Sequence, residues 1–293
     1  MKNDLYGRFI ANLELKSYAK RSIDSYVKSV MQLQRFCNKP LSQITQADLK
    51  AYWLACKTEY GWSDATLRIS YSGIKHFFSS TLVRKWKLLK EVKFKRKDNK
   101  LPVVLSTQEV KQIICHLPTL QSKVFYLTLY SLGLRLKEAI TLAPGDIDKD
   151  RMVVHIRKGK GFKDRILPLP GITLRGLRAY YKTHKNPEWI FPALGQNMGK
   201  NAGTATQPVS SNGVQGALRR TVKKLGIKKH VHPHVFRHSY ATHLVEANVP
   251  ILHLQKLLGH TDIKSTMVYL HVTTRAETHS HEIVRQIIQG VFS

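Results

Sequence analysis

The sequence predicts a mainly α-helical chain in two domains, the second carrying one small antiparallel β-sheet. Three observations lead there. Apolar residues recur at helical spacing from residue 5 to about residue 85. A short alternating run followed by a Lys-Gly-Lys-Gly turn reads as a hairpin. Between them a strongly basic stretch breaks the composition, as a boundary does. A length of 293 residues fits two domains.

In chain order, Leu5, Phe9, Ile10 and Leu13 form the first helical face, and Ile23, Tyr26, Val27, Val30, Leu33 and Phe36 the second. Thr45 with Asp48 three residues on is close to a capping box and starts a third helix, 46–57. Ser63 or Asp64 starts a fourth, carrying Leu67, Ile74, Phe77 and Phe78. From Lys87 to Lys100 there are seven Lys/Arg and two acids, a run that reads as an extended linker. The predicted division is therefore 1–86 for the N-terminal domain, 87–101 for the linker and 102–293 for the second domain. In the second, Ser106 or Thr107 caps a helix, and Lys123–Leu132 is a buried helix stopped by Gly133. Met152, Val154 and Ile156 alternate as a strand and Arg165–Leu169 returns. Residues 195–213 read as a loop on composition. Helices are expected over 214–225, 234–246, 250–258, 262–269 and 278–291. Phe125, Leu127, Leu129 and Leu132 read as core.

Lys plus Arg is 48 and Asp plus Glu is 19, a formal charge of +29. Such self-repulsion is offset best by a polyanion, so nucleic acid is the expected partner. No run of about 18 apolar residues offers a membrane span. The N-terminus lacks the apolar core of a signal peptide. Cys37, Cys56 and Cys115 are too scattered for a disulfide framework or a metal knuckle, which fits a reducing cytoplasm. There is no GxxxxGK[ST] loop and no HExxH, and the chain is poor in the carboxylates that two-metal chemistry needs. No cofactor and no metal are expected. Chemistry on a phosphodiester must then come from side chains: a nucleophile, fixed cations for the non-bridging oxygens, and a proton donor for the leaving oxygen.

Residues of those types recur in a pattern. Arg135 and Glu138 lie at i, i+3 after Gly133-Leu134, and Lys160 sits on the turn Lys158-Gly159-Lys160-Gly161. His234 and Arg237 share a helix face. Gly259 breaks a helix just before His260, and Tyr269 follows nine residues later, on a short helix that Thr261 could cap. These segments, Gly133-Leu134-Arg135-x-x-Glu138, Gly159-Lys160-Gly161 with Lys163-Asp164-Arg165, His234-x-x-Arg237-His238-Ser239-x-Ala241-Thr242-His243-Leu244, Leu257-Leu258-Gly259-His260 and Tyr269, closely resemble those of the tyrosine recombinases, or phage-type integrases, in family order. The size and layout are Xer-like, and the resemblance runs over nearly the whole chain.

The resemblance implies a SAM-like, core-binding N-terminal domain and a tyrosine-recombinase catalytic domain. It implies site-specific DNA strand exchange through a 3′-phosphotyrosyl intermediate and a Holliday junction. Tyr269 would be the nucleophile. Arg135 and Arg237 would bind the scissile phosphate, with His260 hydrogen-bonding it. Lys160 would protonate the leaving 5′ oxygen, with Lys158 and Lys163 as competing lysines of the same turn. His234 would act as general base or phosphate ligand, and Glu138 would orient the site. Arg, Lys and His near Tyr269 are expected to lower its pKa from about 10. Arg21, Lys28, Arg68, Lys75, Lys163 and Arg165 are candidate DNA contacts. Partners implied are double-stranded DNA with specific recombination sites and a homotetramer on DNA. The terminal helix would dock in trans on a neighbouring protomer, and the setting would be cytoplasmic and nucleoid-associated. The alternatives are a type IB topoisomerase-like nicking-closing enzyme and a non-catalytic sequence-specific DNA-binding protein.

Overall fold

The computed structural model describes residues 4–92, 102–157, 164–195 and 202–270. Contacts divide the chain into two compact units, Met1–Asn99 and Lys100–Ser293.

The first unit is a helical bundle: α1 (Leu5–Leu15), α2 (Lys20–Cys37), α3 (Gln46–Thr58), α4 (Asp64–His76), which runs on as a π-helical turn to Thr81, and the short α5 (Leu88–Glu91). The polar caps read from the sequence form as expected. Thr45 and Asp48 make a reciprocal capping box, and the Ser63 hydroxyl accepts from the Thr66 N–H. Phe9, Val30, Leu33, Leu49, Ile74 and Phe77 fill the core. The helices α2 and α4 meet at Gly73, where a Cβ would lie 2.8 Å from the Tyr26 Cα. The basic run does not begin as an extended linker. Leu88–Glu91 is helical and Leu89 is buried in this core, because the Leu88 N–H donates to Gln46 Oε1 at 3.1 Å and the Tyr71 hydroxyl donates to the Leu89 carbonyl. Residues 93–101 of that run lie outside the described residues.

The second unit is built around α7 (Leu120–Ser131), a helix apolar on nearly every side and therefore central. Against it pack α6 (Thr107–His116), α9 (Gly171–Tyr181) and α11 (Pro233–Glu246). The short α8 (Leu136–Ile140) follows α7. The antiparallel sheet has order β1 (Ile147–Asp148), β2 (Val153–Ile156), β3 (Arg165–Pro168). Val154 opposes Leu167 and both are buried, so one face of the hairpin joins the core.

Three boundaries differ from the sequence reading. Met152 is not in the strand but at φ +53 before it. The helix α10 (Ser211–Lys224) begins within the expected loop, because Ser210 accepts from the Gly213 N–H and caps it. Of the expected helix 262–269, the helical part is α13 (Lys264–Met267), after α12 (Ile251–Leu258). Asp262 Oδ1, not Thr261, accepts from the Lys264 N–H, and Tyr269 lies in the turn beyond the helix. The expected helix 278–291 is outside the described residues. Among the described residues no helix is long and apolar enough to cross a membrane.

Candidate active site

The helix α12 ends in a Schellman motif, with Gly259 at φ +62. The Gly259 N–H donates to the Lys256 carbonyl and the His260 N–H to the Gln255 carbonyl, each at 3.1 Å. The next three carbonyls are each taken by a different arginine. Arg165 Nε donates to Leu257 O at 3.0 Å, Arg237 Nη2 to Leu258 O at 2.6 Å and Arg135 Nη2 to Gly259 O at 3.0 Å. These carbonyls would otherwise be orphans carrying the negative end of the helix dipole. One helix end thus gathers side chains from β3, α11 and the start of α8.

Glu138 completes the frame. It takes a bidentate pair from Arg165 at 3.0 and 2.7 Å and a bond from Arg135 Nη1 at 2.8 Å. Burial alone would raise its carboxyl pKa, but the hydrogen bonds and charge of Arg165, with Arg135, outweigh it and hold it at about 2. Arg237 is 3 % exposed, and its Nη1 donates to Gly133 O at 2.7 Å. Burial, then the Arg135 charge, pull its pKa down to about 10, so it stays protonated at neutral pH.

Tyr269 packs into this corner and is buried. Its ring lies parallel to His260 at 6.5 Å, and its hydroxyl meets His238 Nδ1 at 2.9 Å. His260 Nδ1 is bonded to the buried Thr266 hydroxyl at 2.8 Å. Burial, then Arg237, Arg135 and Arg165, hold His260 at about 4. His234, one turn before His238 on α11, has its pKa lowered by burial and by Arg237 and Arg135. The histidines near the hydroxyl are therefore neutral at physiological pH, and the positive charge of the corner belongs to the arginines.

The structure corrects two expectations. The Tyr269 pKa is raised, not lowered: burial outweighs the pull of Arg237 and Arg135. Arg165, expected as a DNA contact, has a side chain only 8 % exposed and committed to Glu138 and Leu257 O. Its place is in the frame of the site. Lys160 and Lys163 lie outside the described residues, between β2 and β3. The expected DNA contacts of the first unit are on α2 and α4. Arg21 and Lys28 are exposed, seven residues apart and so on one side of α2. Arg68 and Lys75 have the same spacing on α4, with Lys75 exposed over the Tyr71 ring at 5.7 Å. The site residue that sequence reading missed is His238. A signal was present, since it lies at i, i+4 from His234 and directly follows Arg237.

Gly259 is a sensitive point of this corner. A Cβ there would sit 3.0 Å from Arg165 Cδ in a left-handed backbone. Gly259→Ala is expected to destabilise the fold by about 1–2 kcal/mol from the backbone alone. The melting temperature of Gly259→Ala should fall accordingly; an unchanged melting temperature would show that the left-handed turn carries no such cost.

Comparisons with known proteins identify the family. Residues 103–275 match the model of the phage integrase family, and residues 5–88 match the N-terminal SAM-like domain of phage integrases. The tyrosine recombinase XerA of Pyrococcus horikoshii is 31% identical over 277 residues, covering 94% of this chain and 91% of that protein. Solved structures share the fold. A Tn1549 transposon integrase in complex with transposon right end DNA is 17% identical with TM-score 0.71, covering 96% of this chain and 99% of that one. XerH site-specific recombinase bound to palindromic difH substrate is 18% identical with TM-score 0.67, covering 90% and 80%. With both units matched and the arginine corner in place, the chain belongs to the phage integrase family and is a tyrosine-type site-specific recombinase.

Proposed function

We propose that this recombinase cleaves DNA by attack of Tyr269 Oη on a scissile phosphate, forming a 3′-phosphotyrosyl bond and freeing a 5′ hydroxyl. One observation carries the assignment. The Tyr269 hydroxyl lies in the corner where the charges of Arg135 and Arg237 reach it and where His260 and His238 flank it. Arg135 and Arg237 hold the non-bridging oxygens, with His260 and His234 as neutral hydrogen-bonding partners. Fixed cations in a water-poor corner stabilise charge that builds in the transition state. Lys160, between β2 and β3 in the sequence, donates the proton to the leaving oxygen. The phosphotyrosyl bond conserves the energy of the phosphodiester, so strand exchange proceeds through a Holliday junction without ATP. The active assembly is a homotetramer on paired specific sites, with the terminal segment docked in trans, acting on nucleoid DNA in the cytoplasm.

The test is a covalent-adduct assay in EDTA on labelled DNA flanking the protein's own gene, with nicked suicide substrates to trap the adduct. Wild type should form a protease-sensitive adduct on the 3′ phosphate of the cleaved strand and Tyr269→Phe none. Cross-linked complexes should contain four protomers, at most two of them modified. An adduct that persists in Tyr269→Phe sinks the assignment. Adduct formation indifferent to DNA sequence would favour a nicking-closing enzyme, and sequence-specific binding without any adduct a non-catalytic DNA-binding protein.

A further inference from the structure

Tyr269 must lose its phenolic hydrogen before Oη can bond phosphorus. In the free chain burial keeps the phenol protonated, so this hydrogen needs an acceptor. Arg135 and Arg237 can only donate. His260 directs its Nδ1 to Thr266. His238 Nδ1 stands 2.9 Å from Oη, with the two rings 5.8 Å apart and tilted by 48°. His238 projects from α11 within the same turn as Arg237, a side chain held rigidly by two carbonyls, so the acceptor and the phosphate clamp share one scaffold. Burial first, then the competition of His234 and His232 for a proton and the charge of Arg237, keep the imidazole neutral, which leaves a lone pair on one ring nitrogen. A bound phosphate anion would offset the Arg237 charge and raise the affinity of the ring for a proton during the reaction.

We propose that His238 is a further catalytic residue, whose Nδ1 accepts the Tyr269 hydrogen bond, fixes Oη in the corner and takes the phenolic proton during attack. The Oη–P bond forms as the P–O5′ bond breaks. The phenolic proton passes to His238 Nδ1, and a separate proton from Lys160 goes to O5′. In ligation the 5′ hydroxyl displaces the tyrosine and His238 returns its proton to Oη. This rests on Tyr269 being the nucleophile.

The experiment measures single-turnover adduct formation by wild type, Tyr269→Phe, His238→Leu and His238→Asn from about pH 7 to about pH 9.5, a range reaching toward the phenol pKa. His238→Leu should lose on the order of 10²-fold at neutral pH, the lower range for a proton-transfer group. That deficit should narrow as pH rises, because hydroxide takes over removal of the proton. His238→Asn, whose Oδ1 can occupy the place of Nδ1, should recover part of the loss by restoring the position of Oη. Melting curves and DNA binding report whether each variant folds; should the Leu variant fail to fold, the pH dependence of the Asn variant decides. A His238→Leu rate equal to wild type, or a deficit that is the same at every pH and unrelieved by Asn, overturns the proposal. A 5′-bridging sulfur substrate, whose leaving group needs no proton, should rescue Lys160→Ala and not His238→Leu; rescue of His238→Leu would place His238 at the leaving group instead. An adduct surviving in Tyr269→Phe would instead remove the nucleophile assignment, a distinct failure.

Discussion

Arg237→Ala is expected to lower the rate of adduct formation by about 10²–10³-fold, the loss seen when one fixed donor to a developing oxyanion is removed. Its buried guanidinium spends one nitrogen on Gly133 O and another on Leu258 O. Those two bonds fix its position, which is what makes a donor effective before charge develops. The same bonds make the substitution destabilising: two carbonyls lose their partner, at about 1–3 kcal/mol for each group left buried and unsatisfied. Arg237→Lys should not restore activity, because one ammonium lacks the planar fork that spans both carbonyls and a phosphate. DNA affinity should change little, since it is spread over many phosphate contacts. The measurements are single-turnover adduct formation, thermal melting and DNA binding on one substrate. A cleavage rate within a few-fold of wild type would remove Arg237 from the clamp.

Glu138 should give the second large effect, and mainly on stability. Its carboxylate is shared by Arg165 and Arg135, and the Arg165 side chain is almost wholly enclosed. Glu138→Gln leaves that guanidinium without its counter-charge, and breaking a buried pair from one side costs about 3–5 kcal/mol. Adduct formation should fall as well, because Arg135 loses the partner that orients it. The pH dependence has a definite sign. The carboxyl pKa is about 2 in the folded chain, against an ordinary value of 4.5. The group therefore stabilises the fold above its unfolded pKa, and that contribution disappears as pH falls from about 4.5 through about 2. The full contribution is on the order of 3 kcal/mol. Wild type should lose stability through this window and Glu138→Gln should lose less; parallel curves would show that the ion pair contributes nothing net.

Much of this was legible in the residues. Helix starts announce themselves through local chemistry, as at Thr45, Ser63 and Ser106, where a side chain and a backbone N–H three residues apart satisfy each other. The Arg135–Glu138 pair is equally local. Met152 was misread because alternation records polarity and not backbone handedness. The role of Arg165 was hidden because its partners lie 27 and 92 positions away, and no local spacing encodes such a meeting. Tyr269 shows a further limit. A sequence counts the cations around a phenol but not the water withheld from it, and here desolvation wins. His238 stood in plain view inside a motif, but its meaning depends on where a turn 31 residues later places one hydroxyl.

The three consecutive carbonyls at the end of α12 give the site a single point of failure. The helix is only eight residues long, and short helices fray readily at their ends. One opening of its last turn would take a carbonyl partner from three arginines at once, leaving Arg165 and Arg135 on Glu138 and Arg237 on Gly133 O. Drift in the outward positions of that helix, such as the exposed Leu252, leaves those acceptors untouched. An insertion or deletion of one residue within α12 ahead of Leu257 would turn all three acceptors by about 100° and misplace the arginines they hold in one step, with every catalytic side chain still present.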